Sequence, residues 1–231
     1  MNNPLMLVLT CVIAYLIGSV SAGIITSRVF HGPDLHTVGS KSSGATNVQR
    51  TMGWKYGIIT LLGDALKGVL ACWIGSLLVP DPIEGVSIGA LAAGLFVTIG
   101  HNWPVFFGFK GGKGVATGCG VMLFVYPIPA LICIGLTIVL IAILRYVSVG
   151  SMFLLTSYAL LVTFWTSHGN PWIIAWAWAL ALMCIIRHRA NINRLIHHSE
   201  NKLGKKKERS WGFCHGSEHE PDSQFLYCRP Y

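Results

Sequence analysis

Apolar residues fill long uninterrupted runs in this chain rather than alternating with polar ones. The runs are Pro4 to Ser27, Tyr56 to Val79, Gly85 to Trp103, Gly114 to Leu144, Val147 to Trp165 and Pro171 to Ile186. A bilayer core of about 30 Å needs about 17 to 25 such residues in a helix, so each run predicts a transmembrane helix. The fourth is too long for one. Its roughly 31 residues would extend about 46 Å at about 1.5 Å per residue, and Tyr126-Pro127-Ile128-Pro129 in its middle is turn chemistry. We read it as a hairpin of two shorter spans, which makes seven spans in all.

Charge supports that reading. Seven spans put Arg28 to Lys55, Lys110 with Lys113, Arg145 and everything from Arg187 onward on one side of the membrane. That side then carries every Lys and Arg except Lys67, which lies inside the second span, while the opposite loops hold Asp81, Glu84 and His168 and no Lys or Arg. Such asymmetry marks the basic side as cytoplasmic. The expected fold is therefore an all-α integral membrane protein with seven transmembrane helices, its N-terminus periplasmic and its C-terminus cytoplasmic. Residues 1–207 form the seven-span domain, and 208–231 a polar, disordered tail. No cleavage pattern accompanies the first run, and the first basic residue, Arg28, follows it, so the run is read as a permanent span.

Composition adds the class that is excluded. At 53% hydrophobic and 11% charged residues, with a mean hydropathy of +0.58, the chain is not a water-soluble domain. The net charge of +8 is then chiefly a positive-inside signal, with Lys205 to Lys207 facing anionic lipid, rather than a nucleic-acid footprint. The seven cysteines form no C-x-x-C pair and suggest neither a zinc site nor a disulfide framework.

The polar residues of the cytoplasmic side gather in three clusters: GSKSSGATNVQRTMG (Gly39 to Gly53), GHNWPVFFGFKGGKGVATG (Gly100 to Gly118) and RHRANINRL (Arg187 to Leu195). The first presents hydroxyls, an amide and a guanidinium, the groups that bind phosphate oxygens. In the second, glycines allow backbone N–H groups to converge on an anion at the N-terminus of the next helix, with Lys113 as counter-charge. It is not a Walker loop, because Lys113 is followed by Gly114 rather than Ser or Thr. In the third, Arg187, Asn191 and Arg194 share a helix face. Three anion-binding clusters on one membrane face point to a phosphorylated substrate.

The nine acidic residues show no cytoplasmic cluster spaced to hold a metal, which disfavours metal-dependent phosphoryl transfer. There is no G-x-S-x-G elbow and no H-x-x-x-x-D pair. His215-Gly-Ser-Glu-His219 matches H-x-x-E-H but lies in the polar tail, where a metal site is not expected. Asp64 and Lys67, three apart in the second span, are read as a packed ion pair. A transporter of phosphorylated molecules would use similar loops, but would more naturally show an internal inverted repeat, and none is visible.

In this order, G-A-T-N-x-x-R, G-H-x-x-P-V-F-F-x-F-K-G-G-K-G-V-A-T and R-H-x-x-N-I-x-R-L resemble the three motifs of the bacterial acyl-phosphate:glycerol-3-phosphate acyltransferases of the PlsY type, from about Leu5 to about Lys202. The resemblance implies a bacterial inner-membrane enzyme with its site on the cytoplasmic side and no cofactor or metal. Such an enzyme moves a fatty acyl group from acyl phosphate to the sn-1 hydroxyl of glycerol 3-phosphate, giving lysophosphatidic acid. It implies phosphate binding by Ser40, Asn47, Arg50, Lys110, Gly111, Gly112, Lys113, Gly114, Asn191 and Arg194, and catalytic positions at His188, His101 and Ser148. Partners would be glycerol 3-phosphate, acyl phosphate and membrane lipid, with no nucleic acid, and a functional link to the enzyme that forms acyl phosphate. The donor is a mixed anhydride with a good leaving group, so no protein nucleophile is required. Proton removal from the acceptor falls to His188, His101 or the donor phosphate. Departures from the family pattern are His36 in place of Arg, and Lys41 and Ser42 in place of Gly and Asn.

Overall fold

A computed structural model describes residues 4–204, so the tail from 208 onward and its H-x-x-E-H string lie outside the described residues. The first run forms α1 (Pro4–Ser19) and α2 (Ala22–Val29), broken at Val20, with the Ser21 hydroxyl accepting from Ile24 N–H to start α2. A short helix, α3 (Ala45–Met52), turns at Gly53 (φ 103°) into the long α4 (Trp54–Leu78). A two-residue antiparallel hairpin, β1 (Pro82–Ile83) and β2 (Val86–Ser87), leads into α5 (Ile88–Asn102), capped by Ser87.

The fourth run divides where its prolines predict: α6 (Val115–Val125) ends at Tyr126 and α7 (Pro127–Leu144) begins on Pro127, whose missing N–H costs nothing at a helix start. Beyond these lie α8 (Val147–Leu161) with a π-helical turn to Thr166, α9 (Pro171–Arg187), and α10 (Arg189–Ile196), bent 58° from α9.

Among the described residues, five helical segments can cross a bilayer by length and composition, and six if the α9–α10 pair counts as one. The eleven residues of α6 reach only about 16 Å, about half a hydrocarbon core. The run Gly114 to Leu144 is thus an unequal hairpin rather than two matched spans.

Close backbone approach holds the bundle together. A Cβ on Gly120 of α6 would lie 1.9 Å from the Ala65 carbonyl of α4, one on Gly89 of α5 the same distance from Gly75 O of α4, and one on Gly100 2.2 Å from Tyr15 O of α1. Small residues let apolar helices pack where no hydrophobic drive separates them from lipid tails. The outward faces are apolar, with Leu62 and Leu66 of α4 and Ile143 of α7 more than 60% exposed. At one end of the bundle Glu84 meets His168, 3.1 Å apart. The loops that carry the three polar clusters meet one another at a single site.

Candidate functional site

A cavity of about 210 Å³ opens between the three clusters. Its polar wall holds Ser40, Arg50, Lys113, His188 and Asn191, and its apolar wall holds Leu61, Ile141, Val147 and Leu154. A second cavity of about 170 Å³ shares Ser40, Lys113 and Asn191 with it and adds Lys41, Arg187, Arg189 and Arg194.

The first cluster is built around Asn47. Its Oδ1 accepts from Ser40 N–H at 2.8 Å, and its Nδ2 donates to Ser42 O at 2.8 Å and to Leu35 O and Val38 O at 3.3 Å each. Asn47 is 1% exposed and its amide is fully committed, so it shapes the Leu35–Ser42 loop and offers no free donor to a phosphate. Lys41 sits at φ 55°, a left-handed backbone that glycine would adopt without strain. Arg50 reaches from α3 to the Asn201 carbonyl at 3.2 Å.

The glycine loop rests on His101. Gly112 N–H donates to the His101 carbonyl at 3.1 Å, a Cβ on Gly112 would fall 2.1 Å from His101 Nε2, and one on Gly111 would fall 2.1 Å from His101 O. Arg187 clamps the same loop from the other side, with Nε to Gly112 O at 3.0 Å and Nη2 to Gly111 O and Gly112 O at 3.1 and 2.7 Å. Gly112 is therefore glycine for close packing, and its N–H is already spent. Gly114 (φ 76°) starts α6 pressed against Thr98 and Asn102. Lys110 is exposed and, like Gly112 and Gly114, lines neither cavity, while Gly111 reaches only the second.

Lys113 Nζ donates to Asn191 Oδ1. Burial lowers its pKa to about 8; Arg194 and Arg50 add to the shift and Glu200 opposes it. Glu200 is the residue that sequence reasoning missed. Its Oε1 accepts from Ser148 Oγ at 3.0 Å and Asn191 Nδ2 at 2.7 Å, and its Oε2 accepts from Arg194 Nε at 2.7 Å. Burial pushes this carboxyl up, but those three hydrogen bonds and Arg194 outweigh it and hold it below the usual carboxylate range. Ser148 and Arg194, expected to meet substrate, are thereby turned to Glu200. The available signal was a lone acid in the basic stretch Arg187 to Lys202.

His188 is 2% exposed, and its Nδ1 lies 2.8 Å from Cys184 O. A carbonyl only accepts, so Nδ1 carries the proton and Nε2 is the basic nitrogen of the neutral ring. His101 Nδ1 instead faces Thr117 Oγ1 at 3.1 Å. Among the described residues, no three His, Cys, Asp or Glu side chains come together as a metal site would require.

Residues 8–198 match the family model described as glycerol-3-phosphate acyltransferase. Similar proteins of that name occur in Thermoanaerobacter sp. (strain X514), 41% identical over 87% of this chain and 98% of the relative, and in Clostridioides difficile (strain 630), 40% identical over 87% and 97%. Crystal structures of PlsY, an integral membrane glycerol 3-phosphate acyltransferase, superpose at 35% identity. The glycerol 3-phosphate form has a TM-score of 0.78 and covers 86% of this chain and 96% of that one. The lysophosphatidic acid form has a TM-score of 0.75. The chain thus belongs to the glycerol-3-phosphate acyltransferase family.

Proposed function

We propose that this protein transfers a fatty acyl group from acyl phosphate to the sn-1 hydroxyl of glycerol 3-phosphate, releasing lysophosphatidic acid and phosphate at the start of phospholipid synthesis. The observation that carries this reading is one cavity with two chemistries. Lys113, Arg50 and Ser40 suit phosphate oxygens, and Leu61, Ile141, Val147 and Leu154 suit an acyl chain arriving from lipid. The relatives' name, and the two ligand forms of the similar structure, support the same acceptor and product.

The donor's mixed anhydride needs positioning and charge neutralisation more than a nucleophile. As the acceptor oxygen bonds to the acyl carbon, the bond to phosphate breaks and the phosphate leaves as an anion facing Lys113. The hydroxyl proton goes to His188 Nε2 or to that departing phosphate. His188 is favoured over His101 because its Nδ1–H is held by Cys184 O, whereas the His101 ring is covered by Gly112.

We place the protein in the bacterial inner membrane with seven crossings, the short α6 counted as one, the N-terminus outside and the site facing the cytoplasm. The lability of acyl phosphates favours supply by a nearby acyl-phosphate-forming enzyme. The test is label transfer to glycerol 3-phosphate by the purified full chain in detergent. We expect turnover with acyl phosphate in excess EDTA and none with acyl-CoA, whose thioester presents no phosphate on the acyl carbon to Lys113. Turnover with acyl-CoA, or rescue of an EDTA-inhibited enzyme by magnesium, overturns the donor assignment. Cysteines placed near Glu84 and His168 should react from the periplasm, and one near Lys41 should not.

A further inference from the structure

Within α4, Asp64 and Lys67 lie buried with Lys67 Nζ 2.8 Å from Asp64 Oδ1. Lys67 also donates to Gly18 O at 3.0 Å and Val20 O at 2.8 Å, carbonyls freed where α1 breaks from α2. That work accounts for the lysine. It does not account for the position of the aspartate, which lines the substrate cavity, leaves Oδ2 without a hydrogen-bond partner and stands 3.5 Å from His101 Nδ1. A purely structural ion pair has no need of that histidine.

His101 links Asp64 to the glycine loop. Its Nδ1 edge meets Asp64 on α4 and Thr117 on α6. Its Nε2 edge lies directly under Gly112, whose N–H also bonds the His101 carbonyl, and Lys113 is the next residue. We propose that Asp64 is a positioning residue for acyl transfer. Together with Thr117 it fixes the His101 ring, the ring supports Gly112, and Gly112 sets where the Lys113 ammonium stands in the cavity. The proposal rests on the acyltransfer reading above. A shift of about 1 Å in a group that holds substrate is enough to cost on the order of a hundredfold in rate, so a support this far from phosphate can matter to binding.

Two charge-neutral double variants of the full chain separate positioning from packing. Both D64L/K67M and D64N/K67M remove the buried ion pair, but only the second keeps an oxygen acceptor facing His101. We expect D64L/K67M to raise the KM for glycerol 3-phosphate by about tenfold or more with a smaller change in kcat, as for a misplaced binding group, and D64N/K67M to recover most of that loss. Indistinguishable kinetics in the two doubles overturn the proposal. If D64L/K67M does not accumulate, Thr117→Val removes the other His101 contact without touching a charge. A several-fold rise in its KM supports the proposal, and an unchanged KM overturns it. Equilibrium binding of glycerol 3-phosphate to the wild-type protein is measured alongside. A wild type that neither binds nor turns it over overturns the acyltransfer reading itself, and the positioning role with it.

Discussion

The Lys113 ammonium donates to the side-chain oxygen of Asn191, and this contact ties the loop ahead of α6 to the helix that follows α9. Asn191 in turn donates to Glu200, so the lysine expected to meet phosphate is held by an amide that a carboxylate orients. The site is a chain of dependent contacts rather than a set of independent cations.

Glu200→Gln tests that chain. Glutamine keeps the size and one acceptor but loses the charge that Arg50, Lys113 and Arg194 share. A charge-assisted hydrogen bond is worth about 1.5–3 kcal/mol, and the Arg194 side chain is 32% exposed, which favours the lower end. The expected result is kcat/KM down about tenfold and a lower thermal midpoint. Inorganic phosphate should protect the variant from heat more than it protects wild type, because an anion then replaces the missing carboxylate. Equal protection in both would show that Glu200 does not stand in the phosphate field.

Asn47→Asp should be as damaging as Asn47→Ala. The aspartate still accepts from Ser40 N–H, but it sets a second oxygen against the carbonyls of Leu35, Val38 and Ser42 where an NH₂ now donates. Both variants should lose most activity, and limited proteolysis should cut within residues 35–44 faster than in wild type. Wild-type proteolysis of an inactive Asn47→Asp protein would instead indicate direct contact with substrate.

Gly112→Ala should be nearly inactive, because its Cβ would enter the His101 ring and lift the loop from its support. Gly135→Ala is the matched control. Beyond its own helix backbone and chain neighbours, no atom lies within 4 Å of the Cβ it would add on α7, so expression and activity should be unchanged. Equal activity in the two variants would refute the packing account of the loop.

Much of this architecture was legible in the sequence because membrane helices announce themselves by length and apolarity. The division at Tyr126 followed from Pro127 and Pro129, and the three clusters do converge. Roles inside the clusters were harder to read. Asn47 and Gly112 are residue types that phosphate sites use, but the Asn47 amide is spent on its own loop and the Gly112 N–H on the His101 carbonyl, and nothing in local spacing encodes that. Glu200 was missed because its partners Ser148 and Asn191 lie 52 and 9 residues away in sequence, and a carboxylate in a site expected to hold phosphate runs against simple charge matching. The break between α1 and α2 was hidden for a related reason: its carbonyls are satisfied by Lys67, in another helix.

The last prediction concerns pH. Burial lowers Lys113 to about 8, so its ammonium is present below that pH and lost above it. Glycerol 3-phosphate completes its second ionisation near about pH 6, so kcat/KM should rise through that region, level off, and fall above about pH 8 by up to tenfold per unit. Lys113→Arg should abolish the alkaline fall, whatever its absolute rate, because a guanidinium stays charged throughout. Glu200→Gln should move the fall to lower pH, since Glu200 is the charge that opposes the lowering of Lys113. The measurement is kcat/KM for glycerol 3-phosphate from about pH 6 to about pH 10 at saturating donor, with donor hydrolysis subtracted at each pH. An alkaline fall that survives Lys113→Arg unchanged would mean that a different group titrates, and that Lys113 does not carry the phosphate charge in the rate-determining complex.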